Sequence, residues 1–176
     1  MVKKTLISIL GLIIISCFTV NVFAEGLSPQ LCKDKVIAAT QLIAAEGEAA
    51  FVKIKDPQGE FRFAGGQGYI WIQDLNPTMI MHPIKPSLDG KDLSTLQDKN
   101  GVLFFIAFNE IAEENAKGGW VGYLWPKPGA KEVSPKVSFV KLVEYNGKEY
   151  VAGSGMYDVT SADIKKQFPK DAVYED

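Results

Sequence analysis

The chain changes its apolar period once, and that change fixes what it can fold into. From Ser28-Pro29 to about Lys55, apolar residues recur near helical spacing: Leu31, Val36, Ile37, Ile43, Ala44, Phe51 and Ile54. Ser28 supplies an N-cap and Pro29 suits the first helical position. Gly47 is the weak point, costing about 1 kcal/mol relative to alanine in a helix interior, so one long helix bent there is expected. Asp56-Pro57-Gln58-Gly59 ends it with turn chemistry.

Beyond residue 60 the texture is that of strands. Gly68 to Asp74 and Thr78 to Met81 read as a hairpin around Asn76-Pro77. Trp120 to Trp125, Lys136 to Tyr145 and Glu149 to Met156 are three further strands. Asn146-Gly147 between the last two is a strong hairpin signal. Val102 to Ala116 returns to helical period and stops at Gly118-Gly119, while Ser161 to Phe168 reads as a short closing helix. Hairpin-linked strands with segregated helices predict an α+β fold. The N-terminal helix should cover one face of an antiparallel sheet, and the second helix with the loop His82–Asn100 the other. That loop is long enough to suggest a functional role.

The first 24 residues have a different character. Lys3 and Lys4 precede an apolar run from Leu6 to Val20, and Val22-Phe23-Ala24 stands before Glu25. This is the three-part pattern of a secretory signal, with cleavage expected after Ala24. A retained membrane anchor is the rival, the run being near the lower limit for spanning a bilayer. Ile14-Ile15-Ser16-Cys17 also resembles a lipobox, which would lipidate Cys17 and tether the domain. With residues 1–24 taken as signal peptide, 25–60 form the helical segment, 61–160 the sheet and its pocket, and 161–176 the tail. Without Lys3 and Lys4, the 19 Lys and Arg become 17, against 21 Asp and Glu. A charge near −4 with no basic stripe carries no nucleic-acid footprint. Only Cys32 then remains of the two cysteines. It has no partner for an intramolecular disulfide and reads as a small buried hydrophobe.

Catalytic readings find little support, so no enzyme and no cofactor are expected. His82 is the single histidine, and neither Cys-x-x-Cys nor His-Glu-x-x-His occurs. Gly153-Ser154-Gly155 lacks the spacing and context of a nucleophile elbow. Gly65-Gly66-Gln67-Gly68 leads into a strand rather than a helix, unlike a phosphate loop. Asp89, Asp92 and Asp98 lack the EF-hand spacing, so metal is not expected.

Aromatic residues instead gather near strand ends. Tyr69 and Trp71 alternate and so share a face, as do Tyr123 and Trp125. Met79 and Met81 repeat the pattern before His82-Pro83. Lys136 stands at an expected strand start, between Pro135 and Val137. Converging faces would form an aromatic-walled pocket with a few polar tips, the usual composition of a small-ligand site. Plain core packing is the competing account of each aromatic residue.

Several of these segments, in order, carry a resemblance. Gly68-Tyr69-Ile70-Trp71-Ile72-Gln73-Asp74-Leu75, Met81-His82-Pro83, Leu88-Asp89-Gly90-Lys91-Asp92-Leu93 and Asp98-Lys99-Asn100-Gly101 are the first. Gly122-Tyr123-Leu124-Trp125-Pro126, Pro135-Lys136-Val137-Ser138-Phe139-Val140 and Gly153-Ser154-Gly155-Met156-Tyr157 follow. From Phe61 to Asp158 the chain resembles the single Cache domain family (sCache_2 type) of bacterial extracytoplasmic sensors. The resemblance implies a long N-terminal helix on a PAS-like antiparallel sheet of five or six strands. It also implies binding of a small organic acid such as acetate, propionate, pyruvate or lactate. Tyr69, Trp71, His82, Tyr123, Trp125 and Lys136 match the family's pocket positions. Lys136 would meet the carboxylate, His82 and Tyr123 would donate hydrogen bonds, and Trp71 and Trp125 would exclude water.

Three departures accompany it. Phe139 stands where the family often has tyrosine, and Tyr145 to Tyr150 replaces a tryptophan-rich turn. No second apolar span follows residue 24. The expected protein is therefore a periplasmic or secreted binding domain, a monomer or weak dimer, that acts through a separate membrane sensor or transporter. The alternative is a structural or interaction subunit that keeps the fold without a ligand.

Overall fold

A computed structural model describes residues 26–127 and 129–174. The signal-peptide, anchor and lipobox readings of residues 1–24 lie outside the described residues.

Helix α1 spans Pro29–Glu46. The Ser28 side chain accepts the Leu31 N–H at 3.2 Å, capping the first turn as its sequence suggests. Cys32, Val36, Ala39, Thr40 and Ile43 form its buried face. The expected single bent helix is instead two. At Gly47 the backbone turns to φ +64°, and a short 3-10 turn, Gly47–Ala49, leads into α2 (Ala50–Lys55). A Cβ on Gly47 would lie within contact-violating range of the Tyr145 ring, 2.2 Å from Cε1. Glycine therefore serves both the left-handed backbone and the close approach.

The strands are β1 (Arg62–Phe63), β2 (Gly68–Tyr69), β3 (Trp71–Asp74), β4 (Met79–Met81), β5 (Gly119–Pro126), β6 (Val133–Tyr145), β7 (Lys148–Tyr157) and β8 (Ala172–Val173). β1 and β2 form a small ribbon. The other six make one sheet in the order β4-β3-β7-β6-β5-β8. All its pairs are antiparallel except β8, which runs parallel to β5. Asn146 and Gly147 both have positive φ, 51° and 74°, as a two-residue hairpin with the right twist requires. That turn pairs Tyr145 with Lys148 and sets the whole β6–β7 register.

α1 packs on β6 and β7 and closes a core containing Val36, Ile43, Ile72, Trp120, Val137 and Phe139. The opposite face carries α3 (Phe104–Glu114), whose Phe104, Phe108 and Ile111 meet Val121, Tyr123 and Val140. The fold is thus α+β, with the long N-terminal helix on one face and α3 with the loop on the other, as expected. A helix α4 (Ser161–Gln167) follows, beginning at Ser161 as expected, with Thr160 and Asp163 forming a capping box. β8 has no counterpart in the sequence reading, because two residues carry no periodicity. It is fixed by Asp171, whose carboxylate accepts from Lys33 Nζ at 2.6 Å and from Trp120 Nε1 at 2.9 Å.

The β3–β4 pairing carries a bulge. Ile72 pairs with Met81 and Gln73 with Met79, so Ile80 is the extra residue. The expected shared face of Met79 and Met81 is therefore corrected. Met79 belongs to the α3-side core and Met81 to the α1-side core.

Among the described residues, no helix is long and apolar enough to cross a membrane.

Candidate functional site

Between the sheet, α3 and the loop lies a cavity of about 340 Å³. Tyr69, Trp71, His82, Tyr123, Trp125 and Lys136 all line it. They come from five different places: β2, β3, the end of β4, β5 and β6. The order β3-β7-β6-β5 brings their ends together on the face opposite α1.

Lys136 is the fourth residue of β6 rather than its first, because the strand begins at Val133. It faces Tyr123 on one side and Tyr157 on the other. Its ammonium lies 4.8 Å from the centre of the Tyr157 ring, and 5.8 to 5.9 Å from the rings of Tyr123, Tyr69 and Trp71. Ring faces attract a cation, but weakly beside a carboxylate. The residue is 5% exposed. No ion pair or hydrogen bond is found for it among the described residues, and no Asp or Glu lines the cavity. Burial, with repulsion from Lys85, pulls its pKa down to about 8.

Two glycines make room for this arrangement. A Cβ on Gly153 would approach Trp71 Cζ2 to 2.4 Å, and one on Gly155 would lie 3.2 Å from Lys136 Cε. The bare backbone of β7 thus leaves room for the Trp71 indole at Gly153, and for Ser138 Oγ with the Lys136 stem beside it at Gly155.

His82 follows β4, and its backbone N–H donates to Asp89 Oδ1 at 2.8 Å. Its Nδ1 accepts from the Ile84 and Lys85 N–H groups at 3.2 and 3.0 Å. The acceptor role leaves the proton on Nε2. Burial, then the charges of Lys136 and Lys85, hold its pKa at about 4. The imidazole is therefore neutral near pH 7 and keeps one N–H donor.

The Tyr123 hydroxyl is already engaged with Ser138 Oγ at 3.0 Å, and its ring stacks on Phe104 at 4.5 Å. Trp125 packs against Phe104, and the Lys85 ammonium lies 5.9 Å from its ring centre. Phe139 lies in the α1-side core against Trp120, on the other face of β6 from Lys136. The hydroxyl that a tyrosine would carry there lies away from the cavity wall. Cys32 is fully buried in that same core, and burial pushes its thiol up to about 11.

The sequence reading did not include Tyr157, Phe104, Phe105, Phe108 or Lys85 among the site residues, yet all line the cavity. Tyr157 was within reach. Counting nine residues outward from the Tyr145–Lys148 pair that flanks the Asn146-Gly147 turn sets Lys136 opposite Tyr157. The three phenylalanines read as helix core, and that they also wall a cavity depends on how α3 sits on the sheet. The loop's aspartates hold backbone: Asp98 accepts from Asn100, Val102 and Leu124 N–H, Asp92 from Ser94 N–H.

A helix-backed sheet with an aromatic-walled cavity and a few polar tips has the composition of a small-molecule site. Residues 46–170 match the Cache domain family (dCache_2), and the chain belongs to that family. It is 43% identical over 102 residues to the methyl-accepting chemotaxis protein McpP of Pseudomonas putida. That match covers 56% of this chain and 18% of the receptor's length. Among solved structures, one concerns carboxylic acid recognition by a Cache chemosensory domain. It is 36% identical with TM-score 0.57, covering 74% of this chain and 88% of that one. A periplasmic sensor domain of a chemotaxis protein is also 36% identical, with TM-score 0.53, covering 72% and 88%. The chain is thus a Cache sensor domain, homologous to chemoreceptor ligand-binding domains.

Proposed function

We propose that this domain binds a small organic acid outside the cytoplasm, of the class of acetate, propionate, pyruvate and lactate, with Lys136 as the partner of its carboxylate. One observation carries the reading: Lys136, 5% exposed as a residue, at the wall of an apolar cavity with no carboxylate among the described residues that line it. A buried charge is costly unless paired, and a carboxylate entering the cavity supplies the partner. His82 Nε2–H donates a second hydrogen bond to the acid. Tyr69, Trp71, Tyr123 and Trp125 wall the site and lower the local dielectric, which strengthens the pair. The carboxylic-acid-recognising Cache domain above supports the ligand class by homology.

Calorimetry with the four acids tests the reading. Binding should be lost in Lys136→Ala, by roughly 2 to 5 kcal/mol, and ligand at about 100 times Kd should add roughly 2.7 kcal/mol to the unfolding free energy. Absence of any heat or thermal shift in ligand-free protein would favour an interaction subunit instead.

A further inference from the structure

The cavity is larger and more apolar than a two- or three-carbon acid requires. At about 30 Å³ per water, its 340 Å³ would hold roughly eleven waters. Phe104, Phe105, Phe108, Leu88, Leu96 and Met79 form much of the wall, and none offers water a strong hydrogen bond. A short acid on Lys136 would leave such waters in place. The polar groups are just as one-sided. The Lys136 and Lys85 ammonium groups are cations, and His82 Nδ1 is occupied by two backbone N–H groups. The Tyr157 hydroxyl donates to the Pro126 carbonyl at 3.0 Å and the Tyr123 hydroxyl is bonded to Ser138. With no carboxylate or amide side chain in the lining, a ligand ammonium would meet two like charges and, among side chains, only tyrosine hydroxyl oxygens such as that of Tyr69 as acceptors.

We infer that the acid this cavity selects carries an apolar body of about five to eight carbons and no amino group. This rests on the carboxylate reading of Lys136 and moves the preferred ligand, within the monocarboxylic acids, from two- and three-carbon acids to longer ones. Aliphatic chains and an aryl ring both satisfy the walls.

The test is calorimetry of the purified protein with straight-chain acids from acetate to octanoate, with norleucine as the amino counterpart of hexanoate. Each methylene that leaves water for the wall should tighten binding about fourfold, up to at least hexanoate. Norleucine should bind at least about a hundredfold more weakly than hexanoate, since an unpaired buried charge is strongly disfavoured. Leu96→Trp, on the loop, should weaken hexanoate far more than propionate by filling the cavity. Highest affinity at acetate or propionate would overturn the inference and leave the carboxylate reading standing. Equal binding of norleucine and hexanoate, or equal weakening of both acids by Leu96→Trp, would also overturn it. No binding at any chain length would overturn the carboxylate reading as well.

Discussion

Lys136 and Tyr157 face each other across the β6–β7 ladder, and the lysine ammonium lies 4.8 Å from the centre of the tyrosine ring. Three more rings stand within 6 Å of it. The site thus holds the lysine ammonium among aromatic rings. That arrangement favours ligand over self-sufficiency, and it makes the protein's stability depend on pH in a particular direction.

A lysine whose pKa drops from 10.5 to about 8 on folding is charged in the unfolded chain where it is neutral in the fold. The unfolded state then binds more protons, so stability rises with pH above about 8. Cys32 opposes this from pH 9, because its thiol is raised from 9.0 to about 11 and the unfolded chain loses that proton first. Ligand-free protein should therefore gain on the order of 1 kcal/mol between pH 8 and 9 and then level off, as measured by urea unfolding. Lys136→Met should abolish the gain and raise stability at pH 7. Binding of an acid should weaken above pH 8, by up to about tenfold per unit.

His82 offers an independent handle because the chain has one histidine. Its pKa of about 4 lies below the unfolded value near 6.5, so its contribution to stability fades as pH falls from 6.5 to 4. Heteronuclear NMR should find a neutral ring protonated on Nε2 at pH 6, titrating near pH 4. A ring protonated on Nδ1 would contradict the two N–H bonds it accepts. His82→Ala should leave the Ile84 and Lys85 amides without that acceptor and weaken acid binding.

Gly153 is a position where side-chain volume and site shape are one question. An added Cβ would stand 2.4 Å from Trp71 Cζ2, so Gly153→Ala must push the indole toward the cavity. The expected cost is about 1 to 3 kcal/mol of stability, together with weaker binding of the bulkier acids. Urea unfolding and the tryptophan emission spectrum report the two effects.

Asp98, 6% exposed, accepts three backbone N–H groups. Asp98→Ala strands them and should cost about 1 to 3 kcal/mol, loosening the loop that carries Leu88 and Leu96 and so speeding ligand release. Asp98→Asn keeps a carbonyl oxygen and should lose less. Stopped-flow dissociation separates the two variants.

Much of this architecture is legible in the sequence because local signals agree with tertiary ones. Ser28-Pro29 begins a helix where a helix begins, and Asn146-Gly147 sets a register that extends to Lys136. The convergence of six residues on one cavity wall follows from alternation plus the family resemblance. What escaped has physical causes. Met81 changes face because a bulge inserts Ile80, and no residue type there announces it. β8 depends on Asp171 meeting Lys33 and Trp120, residues far apart in sequence. Gly153-Ser154-Gly155 fails as a catalytic elbow for the reasons its spacing gave, yet its glycines shape the cavity, because the missing side chains are what Trp71 and Lys136 lie against.

The bond from the Leu124 N–H to Asp98 has a consequence for the company this domain keeps. β8 covers only Gly119 and Trp120, so Leu124 lies on the stretch of β5 that β8 leaves uncovered. There a carboxylate occupies the amide that an incoming strand would need. The opposite margin, β4, is three residues long and bulged. Short, kinked or blocked margins resist edge-to-edge pairing. A chain displayed at high concentration beside copies of itself is thereby steered away from fibrous growth.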